Sequence, residues 1–189
     1  MAEKIKIYVD QGHNPRNPNS GAEGFGLQEA DLTYTIGRLT ADILRRNPYF
    51  DVRLSRNDPD EILGTSNSGS LSARVNDANA WGADWFLSLH ANASTIPSAT
   101  GTEGYVYGQS SAAYGLAENI VEGISANTGI PVRGVFVRPS LYVLRKTRMP
   151  AALIELGFIT NEREAFLMRD QPELFAEGIA SGIFRFFGV

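Results

Sequence analysis

The sequence predicts a single α/β domain in which a twisted, mostly parallel sheet of about six strands carries helices on both faces. Short apolar runs alternate with segments of helical periodicity along the whole chain. No internal repeat, low-complexity tract or linker divides the 189 residues, and this length is typical of one domain with a substantial core. We therefore expect one domain over residues 1–189.

Strands are predicted where apolar residues form short runs or alternate with polar ones. These strands comprise residues 5–9, 51–54 and 85–89, with further candidates at 104–107, 142–144 and 151–154.

Helices are predicted where apolar residues recur every three or four positions. The expected helices cover residues 28–46, 71–81 with Ser70 as its N-cap, 113–128 with Gly129 as its C-terminal cap, a segment that Thr160 or Asn161 caps and that reaches Arg169, and a last helix through Leu174 and Phe186. With the strands, they form the alternating order of an α/β fold.

Composition excludes several kinds of function. Acidic and basic residues number 21 and 17, the net charge is −4 and no basic run is present, so electrostatic binding of nucleic acid is not indicated. Cysteine is absent, which excludes disulfides, thiolate metal sites and cysteine nucleophiles. No apolar stretch has the length of a membrane span, and residues 1–6 lack the apolar region of a signal peptide.

Both histidines of the chain directly follow predicted strands. His13 comes after the strand that ends near Asp10, and His90 ends the apolar run 85–89. Glu155 likewise ends the run 151–154. In a parallel sheet the carboxyl ends of the strands meet at one edge, where ligands bind, so these three side chains are expected to lie together.

Each of these residues also has a plain structural interpretation. A loop histidine can simply bond a backbone carbonyl, and Glu155 can face water or cap a turn. A catalytic metal held by two histidines needs a third ligand, which must be acidic here. Glu29, near the start of the first predicted helix, is a candidate, but acids favour helix N-termini anyway, and periodicity does not separate it from Glu23 or Asp31.

Four segments carry a family resemblance, and they occur in the family's order. They are Asp10-Gln11-Gly12-His13, residues 26–32 around Glu29, residues 74–79 followed by 83–92, and residues 150–161 around Glu155. The chain resembles the type-3 N-acetylmuramoyl-L-alanine amidases, zinc enzymes that remodel bacterial cell walls. One motif alone is a weak signal, but four in order with both histidines at ligand positions are specific.

The resemblance implies a site and a reaction. It implies zinc (Zn²⁺) held by His13, Glu29 and His90, and Glu155 as the catalytic acid and base. The implied partner is peptidoglycan, cut at the amide bond between N-acetylmuramic acid and L-alanine of the stem peptide. The protein is therefore expected to act on the bacterial wall, outside the cell or in the periplasm. It would be an autolysin or a phage lysin, or the trimmed catalytic domain of such an enzyme. Membrane insertion is not expected, and the oligomeric state is left open.

Further contacts are expected around this site. Asn92, close to His90, is a candidate substrate contact or a residue that stabilises its own loop. Arg138 and Arg145 are candidates for meeting stem-peptide carboxylates, although ordinary surface charge is the default interpretation of both. Asp10 is expected to orient a ligand, and Arg74 to make a structural ion pair. Some members of the resembled family carry an inhibitory helix after the second histidine of the site. The short stretch after His90 leaves no room for such a helix, so an open site is expected.

Three other functions are alternatives to the zinc amidase that the resemblance implies. The first is a zinc peptidase that cuts elsewhere on the stem peptide. The second is a relative that binds peptidoglycan without cutting it. The third is a non-haem iron oxygenase, since two histidines and one carboxylate also bind iron, although the α/β pattern and Glu155 argue against it.

Overall fold

A computed structural model describes residues 3–189 of the protein. The expectations that concern residues 1 and 2 lie outside this range. In chain order the strands are β1 (Ile5–Gln11), β2 (Glu23–Gly24), β3 (Leu27–Gln28), β4 (Phe50–Leu54), β5 (Trp85–Asn92), β6 (Thr102–Val106), β7 (Val132–Val137) and β8 (Ala151–Phe158). Six of them form one sheet in the order β4-β1-β5-β8-β6-β7, and β2 and β3 form a separate small hairpin.

Helices cover both faces of this sheet. In chain order they are α1 (Glu29–Arg45), α2 (Asn67–Trp81), α3 (Ala113–Thr128), α4 (Tyr142–Lys146), α5 (Glu162–Asp170) and α6 (Pro172–Phe187). Within the six-stranded sheet, every pairing is parallel except that between β6 and β8. The predicted single α/β domain with a six-stranded, mostly parallel sheet is therefore confirmed. No helix within 3–189 is long and apolar enough to cross a membrane.

The sheet has a hydrophobic layer on each face because successive strand residues point to opposite sides. In β1, Ile7 and Val9 belong to the cluster that α1, α3 and α6 contribute to. Tyr8, between them, packs into a second cluster with residues of α2 and α4. Asp10 therefore lies on the α2 and α4 side, at the carboxyl end of β1.

Two predicted elements are corrected by the structure. Helix α2 begins at Asn67 rather than at residue 71, because Ser66, not Ser70, is its N-cap and accepts a 3.0 Å hydrogen bond from the Gly69 amide. Residues 142–144, expected as a strand, belong to helix α4. There Val143 and Leu144 are both buried against the sheet, which a strand with alternating faces would not achieve.

Strand β7 was not predicted at all. It is an edge strand with an exposed, unpatterned sequence that contains Arg133 and Gly134. Edge strands are paired on one side only, and this one lacks the apolar alternation that identifies a strand in sequence.

Chain topology places a crevice at the carboxyl ends of β1 and β5. From β1 the chain runs through α1 to β4 on one side, then through α2 to β5 on the other side. Such a reversal separates the loops that leave the two strands, and ligands of open α/β sheets bind there. Strand β8 lies parallel to β5, with His90 beside Glu155 in register. The expected shared edge for His13, His90 and Glu155 is thus confirmed.

Candidate metal centre and active site

Folding brings His13, Glu29 and His90 into one cluster. His13 Nε2 lies 3.2 Å from Glu29 Oε2, and His90 Nδ1 lies 3.0 Å from Glu29 Oε1. One ligand atom from each of the three residues lies within 4.8 Å of the others, close enough to share a metal ion. Within residues 3–189 this group contains neither Glu23 nor Asp31, the two acids that periodicity did not separate from Glu29.

Glu29 is held as an anion by four donors. It is buried at the start of α1, where its Oε2 accepts a 2.8 Å hydrogen bond from the Ala22 amide and its Oε1 a 3.0 Å bond from the Ala91 amide. Burial alone would raise the pKa of Glu29, but hydrogen bonds from the two imidazoles and their positive charge lower it far below its ordinary value. These four donors therefore favour the ionised form of the Glu29 carboxylate.

His13 is oriented by a neighbour that the sequence did not reveal. Its Nδ1 lies 3.0 Å from Asn19 Oδ1, which directs Nε2 toward Glu29. Burial would lower the pKa of His13, but the hydrogen bond to Glu29 and its charge raise it. Asn19 is one of several asparagines in the loop 11–26, and no local pattern distinguishes it from the others.

Asp10 contacts Arg74 and Ser88 rather than the candidate metal ligands. Its Oδ1 lies 2.6 Å from Arg74 Nη1, and its Oδ2 accepts a 2.7 Å hydrogen bond from Ser88. Arg74 Nη2 in turn donates to the carbonyl of His13 at 2.5 Å. The predicted structural ion pair of Arg74 is thus present, and Asp10 influences His13 through Arg74 and the backbone rather than by touching an imidazole.

Two glycines leave the space that the imidazoles occupy. A Cβ at Gly12 would lie 2.7 Å from His90 Nε2, and a Cβ at Gly21 would lie 2.7 Å from His13 Cγ and 2.9 Å from Glu29 Oε2. The left-handed φ of this segment, 68°, belongs to His13 and not to Gly12. Gly12 is required for close approach, since no side chain fits between its backbone and His90.

Glu155 lies one strand away from His90 and has an unpaired oxygen. Its Oε2 is buried and has no hydrogen-bond partner within residues 3–189. Burial raises its pKa well above the ordinary value for a glutamate, and the charges of Glu29 and Glu103 raise it further. A carboxyl group with a raised pKa beside a candidate metal site is suited to accept and return a proton.

Glu103 is a buried carboxylate beside Glu155, and sequence analysis missed it. It is the register partner of Glu155 across the antiparallel β6–β8 pairing. Arg133 Nε donates to Glu103 Oε2 at 2.7 Å, Asn92 Nδ2 donates to Oε1 at 2.7 Å, and the Tyr105 hydroxyl donates to the same oxygen. The strand was predicted to begin at residue 104, so the alternation that identifies Glu103 as inward-facing was not recognised.

Asn92 therefore contacts the site through Glu103. Its Oδ1 also accepts a 2.8 Å hydrogen bond from the Ala93 amide, which stabilises its own loop. A side-chain amide has two hydrogens, so a substrate contact by Asn92 would use the second one.

The raised pKa of Glu155 predicts how its replacement affects stability. Below the pKa of an unfolded-state glutamate, near 4.3, the Glu155 carboxyl is protonated in both the folded and the unfolded protein. As the pH rises from there toward the higher pKa of the folded protein, the unfolded state releases its proton first, and the folded state therefore loses stability. We expect metal-free Glu155→Gln to gain stability over metal-free wild type as the pH rises from about 5 toward the raised pKa of Glu155, by up to about 1.4 kcal/mol per pH unit. Urea unfolding of both proteins in chelator measures this gain. A difference that stays constant with pH would contradict the prediction.

These features define a class: an α/β protein with a candidate three-residue metal centre at the carboxyl edge of its sheet and a protonatable carboxyl group beside it. The family model described as N-acetylmuramoyl-L-alanine amidase matches residues 7–185. The chain belongs to this family.

Individual relatives are similar in sequence to nearly the whole of this chain. The N-acetylmuramoyl-L-alanine amidase CwlM of Bacillus licheniformis is 35% identical over 98% of this chain and 70% of its own length. The endolysin of Bacillus phage SPP1 is 36% identical over 94% of this chain and 64% of its own length. The solved catalytic domain of CwlV, an N-acetylmuramoyl-L-alanine amidase from Bacillus (Paenibacillus) polymyxa var. colistinus, is 31% identical with a TM-score of 0.84, over 98% of this chain and 99% of that one.

Proposed function

We propose that this protein is a zinc-dependent N-acetylmuramoyl-L-alanine amidase. It hydrolyses the amide bond between N-acetylmuramic acid and the first L-alanine of the stem peptide. The observation that carries the proposal is the position of Glu155, whose unpaired carboxyl lies beside His90 of the His13–Glu29–His90 cluster. Family membership supports the choice of substrate.

The three clustered residues fit a zinc ion. Catalytic zinc is commonly held by three protein ligands, such as two histidines and one carboxylate, and a fourth position stays open. His13 Nε2, His90 Nδ1 and a Glu29 oxygen provide this donor set, and hydrogen bonds to Asn19 and to backbone amides hold the donors in place. A zinc ion bound there would lower the pKa of a water ligand and polarise the scissile carbonyl.

Glu155 carries the proton in the proposed reaction. Its carboxylate accepts a proton from the attacking water and then donates that proton to the nitrogen of the departing alanine. One group performs both transfers only if its two protonation states have similar free energy near working pH. The burial of Glu155 and the nearby charges of Glu29 and Glu103, which raise its pKa, favour this balance.

We assign supporting roles to two neighbours. Glu103, anchored by Arg133 and Tyr105, places a fixed negative charge beside Glu155. Asn92 is proposed to contact the substrate backbone with its second amide hydrogen while the first holds Glu103.

We propose that residues 1–189 act as a single catalytic domain on the bacterial cell wall. The close match with the catalytic domain of CwlV, which the chain covers at 99%, supports this extent. Relatives that are bacterial amidases and a phage endolysin support the wall as the place of action.

Digestion of purified peptidoglycan tests the proposal. The zinc-loaded protein is expected to release stem peptides with a new L-alanine N-terminus, detected by mass spectrometry and N-terminal labelling. Chelation should abolish release, and added zinc should restore it. Glu29→Gln should lower zinc affinity by more than the about 10–100-fold that loss of a residue orienting a ligand costs, because an anionic ligand is itself lost.

Each alternative has its own outcome. Products cut between two amino acids would indicate a zinc peptidase. Retention on the wall without any product would indicate a binding relative. Activity that follows iron content rather than zinc content would indicate the oxygenase alternative.

A further inference from the structure

The turn of the β2–β3 hairpin carries an aromatic residue in an unfavourable backbone conformation. Phe25 and Gly26 are the two residues between the strands, and both have left-handed φ values, 53° and 75°. A two-residue turn with both φ values positive favours asparagine, aspartate or glycine at its first position. For a bulky side chain such a φ is an outlier. Phe25 therefore costs folding stability that an asparagine there would not.

Phe25 does not offset this cost by being buried. Its side chain is 49% exposed, and its ring centre lies 5.8 Å from that of Phe166. Phe166 is itself covered by Arg169, whose guanidinium carbon lies 4.4 Å from the centre of the ring. Phe25 is thus the exposed member of the aromatic pair. Backbone strain combined with exposure indicates a role at the surface rather than in the core.

A cavity of about 180 Å³ opens beside this aromatic pair. Gly26 of the turn and Arg169 both line it. Three polar side chains also line it, those of Gln28, Asp31 and Thr35. Within residues 3–189 these three side chains form no hydrogen bond or ion pair with the protein. The cavity therefore offers hydrogen-bond donors and acceptors to a ligand.

The cavity lies outside the candidate metal centre. Helix residues are about 100° apart around the axis, so Asp31 projects from the side of α1 roughly opposite Glu29. Glu29 contacts His13 and His90, whereas Asp31 lines the cavity. The hairpin nevertheless borders the centre, because the amide of Ala22, directly before β2, donates to Glu29 Oε2 at 2.8 Å. A ligand in the cavity would thus lie beside the metal centre and not in it.

The chemistry of this lining fits a neutral sugar ring. A pyranose ring has C–H groups on its faces, and the face of an aromatic ring, which is electron-rich, attracts them. The hydroxyl and acetamido groups around the sugar both donate and accept hydrogen bonds. Asp31 accepts such bonds, and Gln28 and Thr35 both donate and accept them. The carboxylate of Asp31 disfavours an anionic polymer at the same place.

We propose that Phe25 and this cavity bind a neighbouring sugar of the glycan strand, outside the metal centre. The choice of a wall glycan rests on the proposed function, and the site adds a hold on the glycan beyond the muramic acid whose amide is cut. The aromatic ring of Phe25 would supply a large share of the binding free energy, as exposed aromatic anchors do in other interfaces. This contribution accounts for an aromatic residue at a turn position that disfavours it.

The variant Phe25→Asn tests the site because its expected effects on folding and on binding have opposite signs. Asparagine adopts the left-handed conformation readily, so the urea midpoint should rise. Calorimetric binding of a β-1,4-linked tetramer of N-acetylglucosamine should weaken about tenfold. Phe25→Tyr keeps the ring and should retain the wild-type affinity. The control Tyr49→Asn removes a similarly exposed aromatic residue before β4, at the opposite edge of the sheet, and should leave binding unchanged.

A second assay separates the sugar site from the metal centre. Hydrolysis of a muramyl dipeptide, which has no second sugar, should stay within about twofold of wild type in Phe25→Asn. Release of stem peptides from whole glycan strands should fall with the tetramer affinity. A loss on the dipeptide as large as that on glycan strands would place Phe25 in the centre itself and overturn the separate site.

Other outcomes also decide between the possibilities. A lower urea midpoint in Phe25→Asn would mean that Phe25 supports the fold, and it would overturn the inference. So would a tetramer that fails to bind wild type or binds both proteins equally, whether or not peptidoglycan is hydrolysed. Weaker binding of a sugar-free stem peptide to the variant would make Phe25 a peptide contact instead. If tetramer binding depends on Phe25 but no peptidoglycan is hydrolysed, the proposed function fails and the sugar site stands.

Discussion

Replacing Glu155 by glutamine is expected to lower kcat on peptidoglycan by about 10²–10⁴-fold while zinc binding remains intact. Glutamine keeps the size and polarity of the side chain but cannot accept or return a proton. Glu155 lies outside the His13–Glu29–His90 cluster, so its loss removes no ligand atom from that group. Single-turnover rates and zinc content, measured on the same preparation, separate chemistry from metal binding.

The matched control is Glu162→Gln, the same chemical change at an exposed position on α5. It should leave the rate within about twofold, since surface changes are usually small. The variant Glu155→Gln should also be the more stable protein at neutral pH when the metal is absent, because folding no longer requires that carboxyl either to keep a proton or to bury its charge. Full activity in Glu155→Gln would show that another group moves the proton. Loss of zinc would instead place Glu155 among the residues that hold the metal.

Replacing Arg74 by methionine is expected to reduce the free energy of unfolding by about 3–5 kcal/mol, the largest change in stability that we predict. Arg74 and Asp10 are both only 1% exposed, and their side chains pair at 2.6 Å. The pKa of Asp10, which burial would raise, is lowered by the charge of Arg74 and by hydrogen bonds from Ser88 and Arg74. Methionine leaves a buried carboxylate without its cation.

The same change should also weaken zinc binding. Arg74 donates to the carbonyls of Gln11 and His13 at 2.6 and 2.5 Å, and it therefore fixes the backbone that presents the His13 imidazole. Urea unfolding of the metal-free protein measures the first effect, and zinc titration measures the second. We expect about 10–100-fold weaker zinc affinity, as is usual when a residue that orients a ligand is removed.

Two further variants distinguish charge burial from loss of packing. Arg38→Met removes an exposed ion pair with Asp42 and should cost less than about 1 kcal/mol. Adding Asp10→Asn to Arg74→Met should recover part of the lost stability, because the unpaired charge is removed. A loss in Arg74→Met no greater than in Arg38→Met would mean that the buried pair contributes nothing to folding.

The sequence by itself determined the fold class and most of the elements. Strands β1, β5 and β8 have short apolar runs, and α1, α3 and α6 have apolar faces at helical spacing, so local patterns define them. The shared edge for His13, His90 and Glu155 was also predictable, because it follows from strand ends in a parallel sheet. The choice of Glu29 came from the family resemblance and not from spacing.

Only the tertiary structure decided which side chains meet. Glu103 lies beside Glu155 because β6 runs antiparallel to β8, and no local pattern specifies the direction in which two distant strands pair. Asn19 reaches His13 through the conformation of a loop, and the exposed edge strand β7 carries Arg133 to Glu103. Periodicity records which face of an element is buried, whereas a site depends on register and packing between segments far apart in the chain.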